Sequence, residues 1–96
     1  MVRDVRFVRS AEDDLAWYRK TEQQLIYDTT IRLLRHEADV ETKKRRRLRS
    51  NPLAPWELRL GKYRVFYEVA GDVVRILAVG HKEHDQLFVR GVRVKL

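Results

Sequence analysis

The sequence predicts an α+β fold in which two N-terminal helices pack on one face of a small antiparallel β-sheet. Three observations carry that prediction. From Trp56 to Tyr67, apolar and polar residues alternate on both sides of Gly61-Lys62, the pattern of a β-hairpin closed by a two-residue Gly-X turn. Val69-Ala70-Gly71-Asp72-Val73 repeats the signal, with Gly71-Asp72 as the turn. Upstream of both, two stretches carry helix-start signals, and the second of them carries a helical apolar stripe. Helices segregated to one face of such a sheet make a two-layer α+β domain.

In chain order, Met1 to Arg9 alternates, with Val5 and Phe7 set against Arg6, and forms a first strand. Ser10 stands as N-cap of a first helix, with Glu12 and Asp13 in its first turn where the helix dipole favours acids. Thr21-Glu22-Gln23-Gln24 matches a capping box and starts a second helix. Along it Tyr27, Ile31, Leu34 and Ala38 form one stripe, flanked by Ile26, Thr30 and Leu33. Trp17 and Tyr18 pack between helices and sheet, and His36 is an exposed helix residue. Trp56 anchors the first hairpin strand in the core.

The first hairpin pairs Leu60 with Tyr63, Arg59 with Arg64, Leu58 with Val65 and Glu57 with Phe66. The second pairs Glu68 with Arg75, Phe66 with Leu77 and Arg64 with Val79. Trp56, Leu58, Leu60, Tyr63, Val65, Tyr67, Val69, Val74, Ile76 and Ala78 then share an apolar face that the helices cover. Glu57, Arg59, Arg64, Phe66, Glu68, Arg75, Leu77, Val79 and His81 share the other face, which suits a concave binding surface. Arg59 and Arg64 are directly opposed, and like charges in that relation cost stability unless something negative lies between them. The pair reads as an anion site, or as two guanidinium groups reaching screened into water.

The 96 residues are read as one domain, 1–96. No apolar run of membrane-spanning length and no secretory leader is present, and cysteine is absent. Those features fit a reducing cytoplasm, the expected location, and exclude disulfide and thiolate-metal chemistry. Lys and Arg total 21 against 14 Asp and Glu, a net charge of +7. Lys43, Lys44, Arg45, Arg46, Arg47 and Arg49 supply six cations in one segment, read as a loop because Asn51-Pro52 and Ala54-Pro55 follow it. Such a cluster suits a phosphate backbone, ahead of a merely solvated loop or an acidic protein partner. His81 and His84 lack a secured third ligand, so no metal is expected.

Trp56 to Val69, followed by Val74-Arg75-Ile76-Leu77-Ala78-Val79-Gly80-His81-Lys82, resembles the RelE/ParE superfamily of type II toxin-antitoxin toxins. The Tyr-Arg-Val-Phe-Tyr core and the Gly-His-Lys ending carry the resemblance, which covers nearly the whole chain. It implies one of two activities: ribosome-dependent, metal-free cleavage of mRNA in the RelE-like branch, or inhibition of DNA gyrase without hydrolysis in the ParE-like branch. It also implies neutralisation by a cognate antitoxin protein, and no cofactor. Arg64 matches the arginine that binds the scissile phosphate in RelE-like members, and Arg59 falls where they place a strand lysine or arginine. Lys82 falls near the basic residue that supports the leaving group. Phe88 stands in place of a C-terminal catalytic tyrosine, and Glu57 where some members carry a second lysine.

Metal-free RNA cleavage needs a base for the 2′-hydroxyl, cations for the phosphorane and an acid for the leaving oxygen. Arg59, Arg64 and Lys82 supply cations, Glu57 or His81 a base, and His81 an acid; Phe88 offers a stacking surface for a nucleobase. Lys43 to Arg49 would hold RNA. The arginine pair and basic segment make the mRNA interferase, acting with ribosome and mRNA, the leading expectation; the missing tyrosine favours the runner-up, the gyrase inhibitor, and a nontoxic basic RNA-binding domain is the third reading. An antitoxin is expected to cover Phe66, Leu77, Val79 and the alternating tail Phe88 to Val94, itself a potential strand, and to lay acidic residues on Arg59, Arg64 and Lys82.

Overall fold

The computed structural model describes residues 2–95. Strand β1 (Asp4–Phe7) leads into helices α1 (Arg9–Ala16) and α2 (Lys20–Leu34). Six further strands follow: β2 (Arg45–Arg47), β3 (Trp56–Leu60), β4 (Tyr63–Ala70), β5 (Val73–Glu83), β6 (Gln86–Val89) and β7 (Val92–Val94). The sheet runs β2-β3-β4-β5-β6-β7, and β1 lies parallel to β5. Both helices lie on one face, the predicted α+β layering. Among the described residues no helix is long and apolar enough to cross a membrane.

The first hairpin adopts the predicted register, Arg59 opposite Arg64 and Glu57 opposite Phe66. Gly61 opens its turn with φ of +58°, a backbone setting that glycine takes without steric cost. The second hairpin departs from prediction after Glu68↔Arg75. A bulge makes Leu77 an extra residue, so Tyr67 pairs with Ile76 but Phe66 with Ala78 and Arg64 with Gly80. One inserted residue exchanges the faces of everything beyond it. Val79 therefore joins Val65 in the helix-covered core, and His81 lies opposite Tyr63, not beside the arginines.

On its other edge β5 has a stretch without a strand neighbour, between its pairing with β1 (73–76) and with β6 (81–83). Asp14 of α1 fills that gap: its Oδ2 accepts the Val79 amide at 3.1 Å and its Oδ1 meets Arg90 at 2.9 Å. Burial pushes this carboxyl above its ordinary value, against the opposing pull of the Val79 amide and Arg90. Asp14→Ala is expected to cost about 2–4 kcal/mol, because it orphans a buried amide and a half-exposed guanidinium; urea unfolding measures it. Asp14→Asn keeps an acceptor and should cost less. A raised carboxyl binds its proton more tightly in the folded state, so Asp14's contribution is greatest below pH 3.8 and declines as pH rises through its native value. The gap between wild type and Asp14→Asn should therefore narrow from acid to neutral pH.

The helix starts sit slightly upstream of prediction. Val8, not Ser10, is the residue before α1, and it makes no side-chain cap. At α2 the cap residue is Arg19, whose amide donates to Glu22 Oε1 at 3.3 Å, so Glu22 does the work assigned to Gln24. The buried stripe is correspondingly Ile26, Thr30 and Leu34. Tyr27 turns outward and stacks on Phe7 at 5.5 Å, while Ala38 and His36 lie beyond the helix end. Tyr18 is buried as predicted, but Trp17 is 51% exposed. Trp56 is buried against Tyr67.

The helix-free face of the sheet is not open. The segment from Leu48 to Pro55 folds across it, tied by Leu48 N to Pro55 O and Leu53 N to Asn51 Oδ1. Leu48, Leu53 and Ala54 pack there on Phe66, Leu77, Ala78 and Leu87, forming a second core. The predicted concave floor is thus filled by the chain itself.

Candidate functional site

The cationic group on the outer face is built by β2, β3, β4 and β5. Arg46 lies opposite Glu57, the Arg59 amide donates to the Lys44 carbonyl, and Arg59 lies opposite Arg64. Arg64 lies opposite Gly80, two residues before Lys82. Alternation along each strand therefore sets Lys44, Arg46, Arg59, Arg64 and Lys82 on one face. The structure brings together four of the predicted catalytic residues: Arg59, Arg64, Lys82 and Glu57.

Glu57 sits inside this cluster with only 4% of its surface exposed. Its Oε1 accepts Arg59 Nε at 2.8 Å and lies 4.0 Å from Arg64 Nε. The negative charge that the opposed arginines require is therefore part of the same strand. Arg64 spends Nη1 on the carbonyls of Gly61 and Tyr63, at 2.6 and 2.9 Å. Its Nε is buried without a hydrogen-bond partner. Burial works against the Arg64 charge, and the Glu57 carboxylate partly restores it.

His81 and Phe88 are on the opposite face. They pair across β5 and β6, and their rings stack at 5.8 Å. Trp17 stacks on the same imidazole at 5.9 Å, and Tyr18 Oη lies 2.7 Å from Nδ1. Nε2 lies 3.4 Å from Glu83 Oε1. Trp17, Tyr18, His81 and Glu83, with Arg19, Glu22 and Lys62, line a pocket of about 290 Å³. Tyr63 packs edge-on against Tyr18 and donates to Glu22 Oε2 at 2.5 Å. Burial, then that bond, pushes the Tyr63 phenol up to about 12 and the bond holds the Glu22 carboxyl low. Burial likewise raises Tyr18, so it stays protonated at neutral pH.

Sequence reasoning missed this pocket. Its members come from the connection between α1 and α2, from α2, the Gly61-Lys62 turn and β5, and only the bulge brings His81 to it. The run of Trp17 and Tyr18 at the junction of two helix signals was the available hint.

The basic segment is partly structural. Arg45–Arg47 is an edge strand on β3, not a loop. Arg45 donates to the Leu33 carbonyl in the last turn of α2 and to the Val40 carbonyl beyond it. Arg47 lies over the Trp56 ring at 5.5 Å, and Arg46 is 3.9 Å from Glu41. Lys43, Lys44 and Arg49 are exposed. The tail forms β6 and β7, and His84 sits in the turn leading into it. Among the described residues no three His, Asp or Glu side chains are grouped to hold a metal ion.

Comparison with known proteins places this geometry. The family described as ParE toxin of type II toxin-antitoxin system, parDE, matches residues 5–86. No curated protein matches the chain. Three solved structures share its fold. The toxin-antitoxin complex RelBE2 from Mycobacterium tuberculosis has a TM-score of 0.74 at 24% identity, over 85% of this chain and 93% of that one. The archaeal RelE-RelB complex from Pyrococcus horikoshii OT3 has 0.66 at 22%, over 88% and 99%. A mutant of E. coli toxin RelE in the free state has 0.66 at 22%, over 86% of each chain. With the family match spanning most of the sequence and the fold shared with these toxins, the chain belongs to the ParE toxin family of type II toxin-antitoxin systems, within the RelE/ParE superfamily.

Proposed function

We propose that this toxin arrests its target by binding it, without cutting RNA, and that the target is DNA gyrase, as the resemblance to ParE-like members implies. The observation that carries the reading is the division of the predicted catalytic set across the sheet. Arg59, Arg64, Lys82 and Glu57 share the outer face, whereas His81 and Phe88 lie on the helix face. Cations stabilise a phosphorane, but cleavage also needs a base and an acid within hydrogen-bond reach of the reacting oxygens. Glu57 lies beneath Arg59. The His81 nitrogens face Tyr18 and Glu83. Phe88 has no ionisable group.

The second reading, a ribosome-dependent mRNA interferase, is favoured by the cationic face itself: Lys44, Arg46 and Arg59 are exposed and Lys82 is half-buried. One pair of assays separates the two. In a gyrase reaction the purified toxin should suppress supercoiling, and in a reconstituted translation system mRNA should acquire no new 5′-hydroxyl ends. Ribosome-dependent ends with supercoiling intact would overturn the proposal and establish the interferase.

In either case the toxin acts in the cytoplasm and is neutralised by a cognate antitoxin, the partner named in the RelBE2 and RelE-RelB structures. Phe66 and Val79 are not available to it, being buried in the two cores, and Leu77 is half-buried against the second. Exposed Val92 on the tail, Leu25 and Tyr27 on α2, and the cations Arg59 and Lys82 remain as its contact groups.

A further inference from the structure

We infer that Glu57 is an internal counter-anion that occupies the Arg59/Arg64 pair and withdraws it from phosphate recognition. This deepens the non-nuclease reading and rests on it. The backbone register forces the two guanidinium groups together, since Arg59 and Arg64 are opposed partners in a tight hairpin. Two residues before Arg59 on the same strand, and so on the same face, Glu57 presents an oxyanion to both.

Carboxylate and phosphate oxygens make the same charge-assisted bonds to a guanidinium fork, so they compete for it. Here the carboxylate has the position first. It is buried at 4% exposure, it satisfies Arg59 Nε at 2.8 Å, and it costs no association entropy. Its reach to Arg64 is incomplete: 4.0 Å is an ion pair without a hydrogen bond, and Arg64 Nε has no other partner. That Nε is itself buried, so an external phosphate oxygen does not reach it without displacing the carboxylate. The surrounding cations Lys44, Arg46 and Lys82 still attract polyanions through unspecific, salt-sensitive contacts. Glu57 therefore sets specificity: it leaves a basic face that attracts nucleic acid weakly and takes the Nε edge of Arg59 that would fix a phosphodiester side-on.

The test is binding of a fluorescein-labelled single-stranded oligouridylate, read by anisotropy at about 0.1 M salt, where screening extends over about 10 Å. Glu57→Gln keeps the shape and removes the charge. Glu12→Gln, on the exposed side of α1, changes net charge equally and serves as reference. Glu57→Gln should bind about tenfold tighter than Glu12→Gln, about 1.4 kcal/mol. The gain should vanish when Arg59→Ala is added. Equal affinity of the two glutamine variants, or a gain that survives Arg59→Ala, overturns the inference. A second measurement uses the wild type alone, in case Glu57→Gln does not fold. Titration with inorganic phosphate should leave the Arg59 and Arg64 Nε–H resonances in place; saturable shifts would show the pair open and overturn it. Mapping of mRNA ends tests cleavage and these experiments test the mask, so either can fail without the other.

Discussion

Replacing Gly80 by alanine is expected to lower the melting temperature by roughly 10–20 °C, the consequence of about 2–3 kcal/mol of overpacking in a domain of this size. A Cβ on Gly80 would lie 2.5 Å from the Phe88 carbonyl oxygen, 3.1 Å from Val89 Cγ2 and 3.2 Å from Leu87 Cδ1. The first of these is backbone, so no rotamer change relieves it and β6 itself must move. That movement would draw Phe88 off the His81 ring and Leu87 out of the second core, coupling one methyl group to both faces of the sheet. Gly61 and Gly71 give the contrast: each has positive φ with nothing within 4 Å of an added Cβ. Alanine there meets backbone strain alone, about 1 kcal/mol. Thermal unfolding followed by circular dichroism orders the three variants, and amide exchange at His81 and Phe88, opposed across β5 and β6, reports the strand pairing directly. A Gly80→Ala protein melting with the other two would refute the close approach of β6.

The first hairpin was legible because two independent signals agree on it: a Gly-X turn that fixes the loop, and alternation on both arms that fixes the faces. Beyond Arg75 the second signal disappears. Ile76-Leu77-Ala78-Val79 is an unbroken apolar run, compatible with either face, so nothing in it reveals that Leu77 is bulged. The slip is silent until His81, and by then the histidine has changed sides. The parallel pairing of β1 was hidden for a related reason: alternation tells which residues face the core, not the direction of the neighbouring strand. At Arg45–Arg47 the tertiary partner decided the matter, since pairing with β3 and bonds from Arg45 to helix-end carbonyls impose a strand that arginine would not suggest. Glu57 was half legible. Its spacing from Arg59 places both on one face, and opposed arginines demand an anion; what the sequence withheld was the burial that makes the carboxylate a structural partner and not an accessible base.

Phe66→Ala should destabilise the protein by about 3–4 kcal/mol, a large share of what a small domain has to lose. Phe66 has no exposed surface and packs among Ala54, Ala78 and Leu87, with Leu48, Leu53, Leu77, Val89 and Val94 around them. The alternation that set Phe66 beside Arg59 and Arg64 suggests instead a ligand floor, and the two descriptions predict opposite results. A floor residue is exposed in the free protein, so its truncation would change stability by about 0.5 kcal/mol or less and affect only binding. A core residue leaves a cavity, shifts the urea midpoint and loosens whatever it supported. What Phe66 supports is the segment across the outer face, so Phe66→Ala should also speed proteolysis near Asn51-Pro52, at the exposed tip of that segment. An unchanged urea midpoint would return the outer face to the role of an open groove. A lowered midpoint together with faster cleavage would mean that no partner can use this floor without first displacing residues 48–55. Target and antitoxin must then engage the protein through groups that are free at the start: the half-exposed Trp17 at the aromatic pocket, Leu25 and Tyr27 on α2, and Val92 at the edge of the sheet.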